Sequence, residues 1–379
     1  MPLLGSQTSQ GSQGSQGSQG SQGSQGGIAG TNSFAMASAL ITTRDGVVGQ
    51  WDAPAEKPAE HAAEDTENLG LWSERVRSAV IDAEVVSRIA FTGTPKPGAV
   101  AVWHFAPETE ATADAAPVGA YHPIVRLERP SMETFQAQLR YLDSYSELRP
   151  DRSTEILETL ASPVPLLASV GFLRADRHKW TLEYLGVALR LARHVVYRVK
   201  HGLACRRPIE FSPQVQPMIQ TPGHGALPSG HATESFMLAH VLGQVMEAGE
   251  QEQYANASYR TQLMRIAARI TLNRTVAGVH FPADSIAGAM LGLTLADYLI
   301  ARTRTGSYSA AHFHGNAESM GGTDFLWSDI YDVEGKRLRH GDIIRPFGGE
   351  DPIALNGEAE QAGNASLRWL WDRAVKEWR

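Results

Sequence analysis

The chain has a single cysteine and little net charge. Of its 379 residues only Cys205 is a cysteine, so no internal disulfide can form and the sequence leaves the redox compartment open. We interpret Cys205 as a packing residue rather than a nucleophile. The net charge of −7 gives no reason to expect nucleic acid or an anionic membrane as a partner.

Targeting and membrane signals are also missing from the sequence. No basic segment is followed by an apolar run and a small-residue cleavage site. Even the most apolar window, IAGAMLGLTLADYLIA, contains Asp297. We therefore expect a soluble protein without a membrane partner, cytoplasmic as expressed, and leave its natural localisation and N-terminus open.

The chain opens with a segment that contains almost no apolar residues. GSQ repeats occupy residues 1 to about 30 and cannot bury enough surface to offset their ordering entropy. We predict a disordered leader or linker over this segment. The predicted divisions are this leader at 1–35, an N-terminal helical and loop region at 36–175, a catalytic helical core at 176–305 and a loop-rich C-terminal region at 306–379 that ends in a helix.

Helical periodicity dominates the remaining sequence, and strand signals are scarce. Apolar residues recur at helical spacing in five long segments. The predicted helices cover residues 72–89, 131–142, 176–199, 258–274 and 282–295, with a shorter one after Ser153, one after Ser229 and a C-terminal one at 365–379. The stretch from Pro97 to Pro130 is rich in Pro, Gly and Ala, so we interpret it as a long ordered loop. This pattern predicts an all-α helical bundle.

Three short blocks concentrate residues that bind anions and move protons. The blocks are KHGLACRRP with Lys200 and Arg207, LPSGH with Ser229, Gly230 and His231, and NRTVAGVHFPAD with Arg274, His280 and Asp284. Arginine offers a planar fork of donors, lysine a point charge, and a Ser-Gly turn that opens a helix offers free backbone amides. All of these groups suit a tetrahedral oxyanion. The two histidines remain for bonding to its central atom and for proton exchange.

Each residue also has a purely structural interpretation. Lys200 at a helix C-terminus and Asp284 near a helix N-terminus could simply complement helix dipoles. Ser229 could act only as an N-cap. The interpretations of Ser229 are compatible, because N-cap geometry is what leaves the following amides free for an anion.

At these blocks the sequence resembles a superfamily that contains type 2 phosphatidic acid phosphatases, bacterial acid phosphatases and vanadium-dependent haloperoxidases. Its pattern is Lys, six residues, Arg-Pro; then Pro-Ser-Gly-His; then Ser-Arg, five residues, His, three residues, Asp. Asn273 is the one departure, because the family usually has Ser there. His224 lies five residues before Ser229, as a second histidine does in vanadium bromoperoxidases. Tyr197 stands where haloperoxidases usually have Trp.

The resemblance favours a vanadate-dependent haloperoxidase, closest to bacterial bromoperoxidase-like proteins. It implies that His280 is the protein ligand to vanadium, and that Lys200, Arg207, Ser229, Gly230 and Arg274 hold the vanadate oxygens. His231 would exchange protons, Asp284 would orient His280, and His224 would act beside the pocket. Lys200 would polarise the bound peroxide. The implied partners are hydrogen peroxide, bromide or iodide and a small organic acceptor, in a homo-oligomer.

The alternative is a soluble acid phosphatase with phosphate in the same pocket. His280 would then form a phosphohistidine, and His231 would protonate the leaving alcohol of a phosphate monoester. A third interpretation, a non-catalytic anion-binding protein, predicts damage to at least one motif residue. None of the motif residues is damaged. Chain length, the missing export signal and His224 favour the haloperoxidase.

Overall fold

The computed structural model describes residues 34–52, 54, 56–96, 98–109, 112–357 and 361–379. Residues 1–33 of the predicted leader lie outside this range. The chain divides into two compact units between Arg77 and Ser78. Within the first unit, helix α1 spans Phe34–Val47 and a 3₁₀ turn spans Thr66–Leu71. The predicted boundaries at 36–175, 176–305 and 306–379 remain predictions.

The second unit is built around long helices. The helices after α1 are α2 (Glu74–Val86), α3 (Met132–Ser146), α4 (Arg149–Glu158), α5 (Val164–Gly171), α6 (Lys179–Leu203), α7 (Gly230–Ala248), α8 (Glu252–Ala255), α9 (Ala257–Val276), α10 (Pro282–Arg304), α11 (Trp327–Ile330) and α12 (Ala365–Lys376). Helix α7 packs against α6, α9 and α10, and α12 packs against α6. The side chains at these contacts are mostly aliphatic or aromatic and buried, so the core lies between these helices.

The all-α prediction is wrong, because a five-stranded mixed sheet covers part of the helical core. The described residues form nine strands, five of them in this sheet and the others in two-stranded sheets. They are β1 (Ile89–Thr94), β2 (Ala99–Pro107), β3 (Gly119–Glu128), β4 (Ser307–Tyr308), β5 (Ala311–Phe313), β6 (Tyr331–Asp332), β7 (Arg337–Leu338), β8 (Ile344–Pro346) and β9 (Ile353–Ala354). The order in the large sheet is β1-β2-β3-β5-β8. Strands β3 and β5 run parallel, and the other neighbours run antiparallel.

The predicted loop before Pro130 therefore contains two of the longest strands. Its Pro, Gly and Ala residues favour a loop, but VAVWHF and YHPIVRL within it are rich in β-branched and aromatic residues, which favour strands. The prediction that the first helix reaches Ile89 is also wrong, because α2 ends at Val86 and Ile89 begins β1. One face of the sheet packs on α10, where His104 Nδ1 lies 2.8 Å from the Tyr298 hydroxyl.

Several predicted helix ends are confirmed. Ser131 caps α3 by accepting a hydrogen bond from the Thr134 amide at 3.1 Å. Ser229 is the N-cap of α7, and Pro282 is the first residue of α10. In the C-terminal helix α12 the predicted inward residues, such as Leu367 and Leu370, are buried.

Close approach of α7 and α10 depends on two glycines. A Cβ atom at Gly288 would lie 2.6 Å from the Ser229 carbonyl oxygen, and one at Gly292 would lie 2.4 Å from the Thr233 carbonyl oxygen. Only glycine leaves room for this spacing. The contact brings the start of α7 against the first turn of α10, where the Ser229 amide donates to the Asp284 carbonyl at 2.9 Å.

Helix α10 is also the one described helix that is long and apolar enough to cross a membrane. Its mean hydropathy is 1.3 over the best window, and 89% of that window is buried inside the fold. A core helix of a protein outside the membrane passes the same test, so length and composition alone are weak evidence for a span.

Candidate active site

Helix ends bring the three sequence blocks to one place. Lys200 lies in the last turn of α6, His231 in the first turn of α7 and Arg274 in the last turn of α9. The α9–α10 connection supplies the remaining histidine, with Gly278 at φ +81° making the break in the chain that precedes it. The blocks are far apart in sequence, and helix packing makes them neighbours.

His280 and Asp284 form a buried pair. His280 Nδ1 lies 3.0 Å from Asp284 Oδ2, which also accepts the Phe281 amide at 3.0 Å. Because a carboxylate accepts, the ring proton sits on Nδ1 and the lone pair sits on Nε2. Burial and the charges of Arg207 and Lys200 keep the pKa of His280 well below its usual value, so the ring is neutral.

Arg207 lies directly against Nε2 of His280, the ring nitrogen that carries no proton. Its Nη1 is 3.1 Å from His280 Nε2 and donates to the Val279 carbonyl at 2.8 Å. The guanidinium can only donate, so His280 Nε2 accepts. An oxyanion bonded to that nitrogen would therefore lie within hydrogen-bonding distance of the guanidinium.

Lys200 approaches the site from α6. Its Nζ donates to the carbonyls of Gly225 and Ala226 at 2.9 and 2.7 Å, which leaves one ammonium proton for a ligand. Burial and the neighbouring Arg207 lower its pKa, and Asp284 opposes this shift. Burial also raises the pKa of Asp284. A bound anion would favour the protonated lysine, because it adds an opposite charge beside it.

Arg274 is buried with donors to spare. Its Nη2 donates to the Ile156 carbonyl at 3.1 Å and to the Thr159 hydroxyl at 2.9 Å. Its Nε and Nη1 are buried and have no hydrogen-bond partner within the described ranges. Burial lowers the pKa of Arg274 to about 10, so it keeps its charge at neutral pH. Orphaned donors of this kind are costly unless a ligand satisfies them.

A backbone carbonyl holds the Nε2 atom of His231. Its Nε2 lies 3.1 Å from the Thr159 carbonyl oxygen and must donate to it. In the neutral ring Nδ1 is then the free nitrogen. Burial and the charge of Arg274 lower the pKa of His231 to about 4, so the ring is neutral before an anion binds.

The start of α7 supplies amides. Ser229 Oγ accepts the Ala232 amide at 3.4 Å, which satisfies one of the first amides of the helix. The amides of Gly230 and His231, the first two in the helix, have no intrahelical acceptor. They and the positive end of the helix dipole favour an anion at this point.

His224 lies at the exposed side of the site. Its Nδ1 is 3.1 Å from Arg207 Nη2, and its carbonyl accepts from Arg207 Nε at 3.0 Å. The ring also makes an edge contact with Tyr197 at 5.6 Å between centroids. Tyr197 is 56% exposed, so this aromatic pair lies between solvent and the buried cations.

The structure thus brings together all nine residues that the sequence predicted for the site. Hydrogen bonds link five of them in a row: Ser229, Asp284, His280, Arg207 and His224. Lys200 donates to the carbonyl of Gly225, the neighbour of His224. His231 and Arg274 both bond to Thr159, and Gly230 lies between Ser229 and His231. Their roles remain predictions. Cys205 is buried, and burial raises the pKa of its thiol to about 12, which fits a packing residue.

Sequence reasoning missed the contribution of α4. Thr159 touches both Arg274 and His231, and no motif includes it. Glu155 on the same helix accepts from Asn273 Nδ2 at 3.0 Å, which gives the departure from the family pattern a structural partner. Only the folded chain reveals these contacts, because α4 lies about 100 residues before α9.

A tetrahedral oxyanion such as phosphate or vanadate fits the donor set. Arg207, Lys200, His231 and Arg274 all lie close enough to His280 for their charges to lower its pKa, and the three cations are buried. The unpartnered Nε and Nη1 of Arg274 are the observation that supports the fit. Among the described residues no group of three or more His, Cys, Asp or Glu could hold a metal ion. The site therefore suits an anion rather than a chelated cation.

One of three comparisons with known proteins identifies a family for part of the chain. Residues 181–305 match the family described as "PAP2 superfamily". No curated protein matches the chain significantly. Among solved structures, a transmembrane PAP2-type phosphatidylglycerolphosphate phosphatase from Bacillus subtilis aligns at 19% identity and a TM-score of 0.35, over 44% of this chain and 84% of that one. That likeness is too low to bear on substrate or location. Residues 181–305 are a PAP2 superfamily domain.

Proposed function

We propose that this protein hydrolyses phosphate monoesters through a phosphohistidine at His280. The observation that supports this most is the buried Arg274 guanidinium, whose Nε and Nη1 have no partner among the described residues, near a neutral histidine whose unprotonated Nε2 accepts from Arg207. Phosphoryl transfer needs a nucleophile, an acid and clustered positive charge, and the chain supplies all three without an added group. This reverses the order favoured by sequence alone.

The proposed reaction has two steps, of which the first forms the phosphohistidine. His280 Nε2 attacks phosphorus, a nitrogen–phosphorus bond forms and the bond to the ester oxygen breaks. Asp284 holds the Nδ1 proton and stabilises the positive ring. Lys200, Arg207 and Arg274 stabilise the charge on the phosphoryl oxygens.

His231 supplies and recovers the proton. Its Nε2–H is held by the Thr159 carbonyl, so Nδ1 is the atom that exchanges protons with the substrate. Burial and the charge of Arg274 lower the pKa of His231 and keep it neutral at rest, and a bound dianion raises this pKa by offsetting that charge. Protonated Nδ1 donates to the leaving alkoxide. It then takes a proton from the water that cleaves the nitrogen–phosphorus bond.

A second function, vanadate-dependent haloperoxidase, is favoured by His224. This half-exposed histidine contacts Arg207 at the mouth of the site, and phosphoryl transfer does not require it. Vanadate oxygens would be held by Lys200, Arg207, Ser229, Gly230 and Arg274, and His280 Nε2 would be the ligand. When bound, vanadate would supply activation of hydrogen peroxide for oxidation of bromide or iodide to hypohalous acid.

One paired assay separates the two functions. The purified protein is stripped of bound anion and given p-nitrophenyl phosphate, or orthovanadate with peroxide, bromide and a dye. We expect phosphate release that vanadate inhibits, and no bromination. Bromination that requires vanadate, without phosphate release, would contradict the proposal and support the second function. The His280→Ala variant is the negative control in both arms.

We also propose that the substrate is a small water-soluble ester. The cations lie deep in the site, while His224 and Tyr197 lie at its exposed side, so a leaving group would extend toward them. Helix α10, the one candidate span in the described chain, is occupied by packing within the fold. Assembly into a homo-oligomer remains a prediction.

A further inference from the structure

Thr159 lies just after α4, outside the PAP2 superfamily domain, yet it contacts two residues of the site. It is 1% exposed and forms the C-cap of α4. Its carbonyl oxygen accepts from His231, and its hydroxyl oxygen accepts from Arg274. One residue therefore reaches both the proposed acid and the cation that holds the anion.

The carbonyl contact determines which nitrogen of His231 can act. A carbonyl only accepts, so the nitrogen 3.1 Å from it must carry a proton. In the neutral ring the other nitrogen, Nδ1, is then unprotonated and can receive the catalytic proton. The backbone of Leu160 also hydrogen-bonds the His231 ring, so Thr159 acts together with its neighbour in the chain.

The hydroxyl contact determines how Arg274 is oriented. Thr159 Oγ1 lies 2.6 Å from the Glu155 carbonyl and donates its proton there. Its lone pairs then face Arg274 Nη2 at 2.9 Å. Because Nη2 is occupied by Thr159 and the Ile156 carbonyl, the Nε and Nη1 donors are the ones left for a ligand.

Helix α4 is anchored well enough to serve this purpose. The Glu155 carboxylate accepts from Asn273 at 3.0 Å and from Arg269 Nε at 2.8 Å, both on α9. Arg149 at the start of α4 donates to the Val276 carbonyl at 3.0 Å. Both ends of α4 are thus tied to the helix that carries Arg274.

We propose that Thr159 is a positioning residue that fixes the tautomer of His231 and the donor set of Arg274. This inference rests on the proposed function of the site. A helix cap without this role would change stability alone, whereas a positioning residue changes anion affinity and the pH dependence of turnover.

The first test compares Thr159→Val with Thr159→Ser. Valine keeps the volume and removes the acceptor of Arg274, so we expect inorganic phosphate to bind about tenfold more weakly in titration calorimetry, the effect of losing a hydrogen bond to a charged group. Serine restores the hydroxyl and should recover most of this affinity. Thr294→Val is the matched control, since its buried hydroxyl bonds back to the Met290 carbonyl within α10.

Equal phosphate affinity in Thr159→Val and wild type, at a temperature where both proteins are folded by circular dichroism, would overturn the proposed role of Thr159 toward Arg274. An equal loss of affinity in Thr294→Val would also overturn it, because general destabilisation would then explain the effect.

The second test measures the tautomer itself. Nitrogen-15 NMR of wild type, with the resonances assigned by a His231→Asn variant, should show a protonated Nε2 and an unprotonated Nδ1 at neutral pH. The opposite tautomer would overturn the role of the carbonyl. Both tests read binding or protonation. If wild type released no phosphate from an ester, the proposed function would fail while the role of Thr159 would still be decided.

Discussion

Replacing Asp284 by Asn removes the charge that orients His280. Asp284 Oδ2 accepts from His280 Nδ1 and from the Phe281 amide, both at 3.0 Å, in a fully buried position. Losing a hydrogen bond to a charged group costs about 1.5–3 kcal/mol. Because that bond strengthens as the ring becomes positive, the loss should appear in kcat and lower it by roughly 10- to 150-fold.

The amide also changes the proton arrangement. If its nitrogen faces His280 Nδ1, the ring proton moves to Nε2 and the attacking lone pair is lost. The new side chain carries no negative charge, so the anion site keeps its three cations. We therefore expect kcat of the Asp284→Asn variant to fall far more than the affinity for inorganic phosphate.

The assay is steady-state hydrolysis of p-nitrophenyl phosphate with phosphate inhibition measured in parallel. Asp297→Asn is the matched control, since Asp297 pairs with His240 at 2.7 Å outside the site. It should leave kcat close to wild type. Activity of Asp284→Asn within twofold of wild type, or an equal loss in both variants, would refute the proposed orienting role.

Three further predictions concern packing, charge and pH. Gly288→Ala should lower the free energy of unfolding by about 1–3 kcal/mol in urea titrations, because its Cβ would lie 2.6 Å from the Ser229 carbonyl oxygen. Arg274→Lys should weaken phosphate inhibition by about tenfold or more, since lysine cannot reproduce the forked contacts. Arg260→Lys is the control, because Arg260 lies on the same helix but pairs with Glu247. Equal inhibition constants for Arg274→Lys and wild type would contradict the prediction. His231 and His280 have pKa values below the unfolded value, so at these two sites the unfolded chain binds more protons; their contribution to stability should be fully present above about pH 6.5 and fall toward pH 4, partly offset by Asp284, whose pKa is raised to about 6 by burial. A melting temperature unchanged over that range would contradict this sign.

The helical core and the motif positions followed from sequence for physical reasons. Long amphipathic patterns such as that of α6 specify a helix locally, and caps such as Ser131 and Ser229 mark the ends. The motif residues lie at those ends, so knowing the helices nearly places them.

The sheet and the α4 contacts did not follow from sequence. Strands β5 and β8 are three residues long, too short to show a period; β5 pairs with β3, and β8 pairs with β5. The longer strand β2 has no exposed residue, and β3 is exposed only at Ala120 and Tyr121, so neither shows the alternation of a half-exposed strand. The contacts of Thr159 join α4 to α7 and α9, and no local pattern encodes such a long-range contact.

The most direct test of the account is to trap the phosphorylated enzyme. Labelled p-nitrophenyl phosphate is mixed with the protein, the reaction is quenched in base, and peptides are analysed for the label. We predict a phosphoryl group on His280, in the peptide that begins after Arg274, and none in His280→Ala. Label on another residue during turnover, or steady turnover with no labelled protein under these conditions, would contradict it.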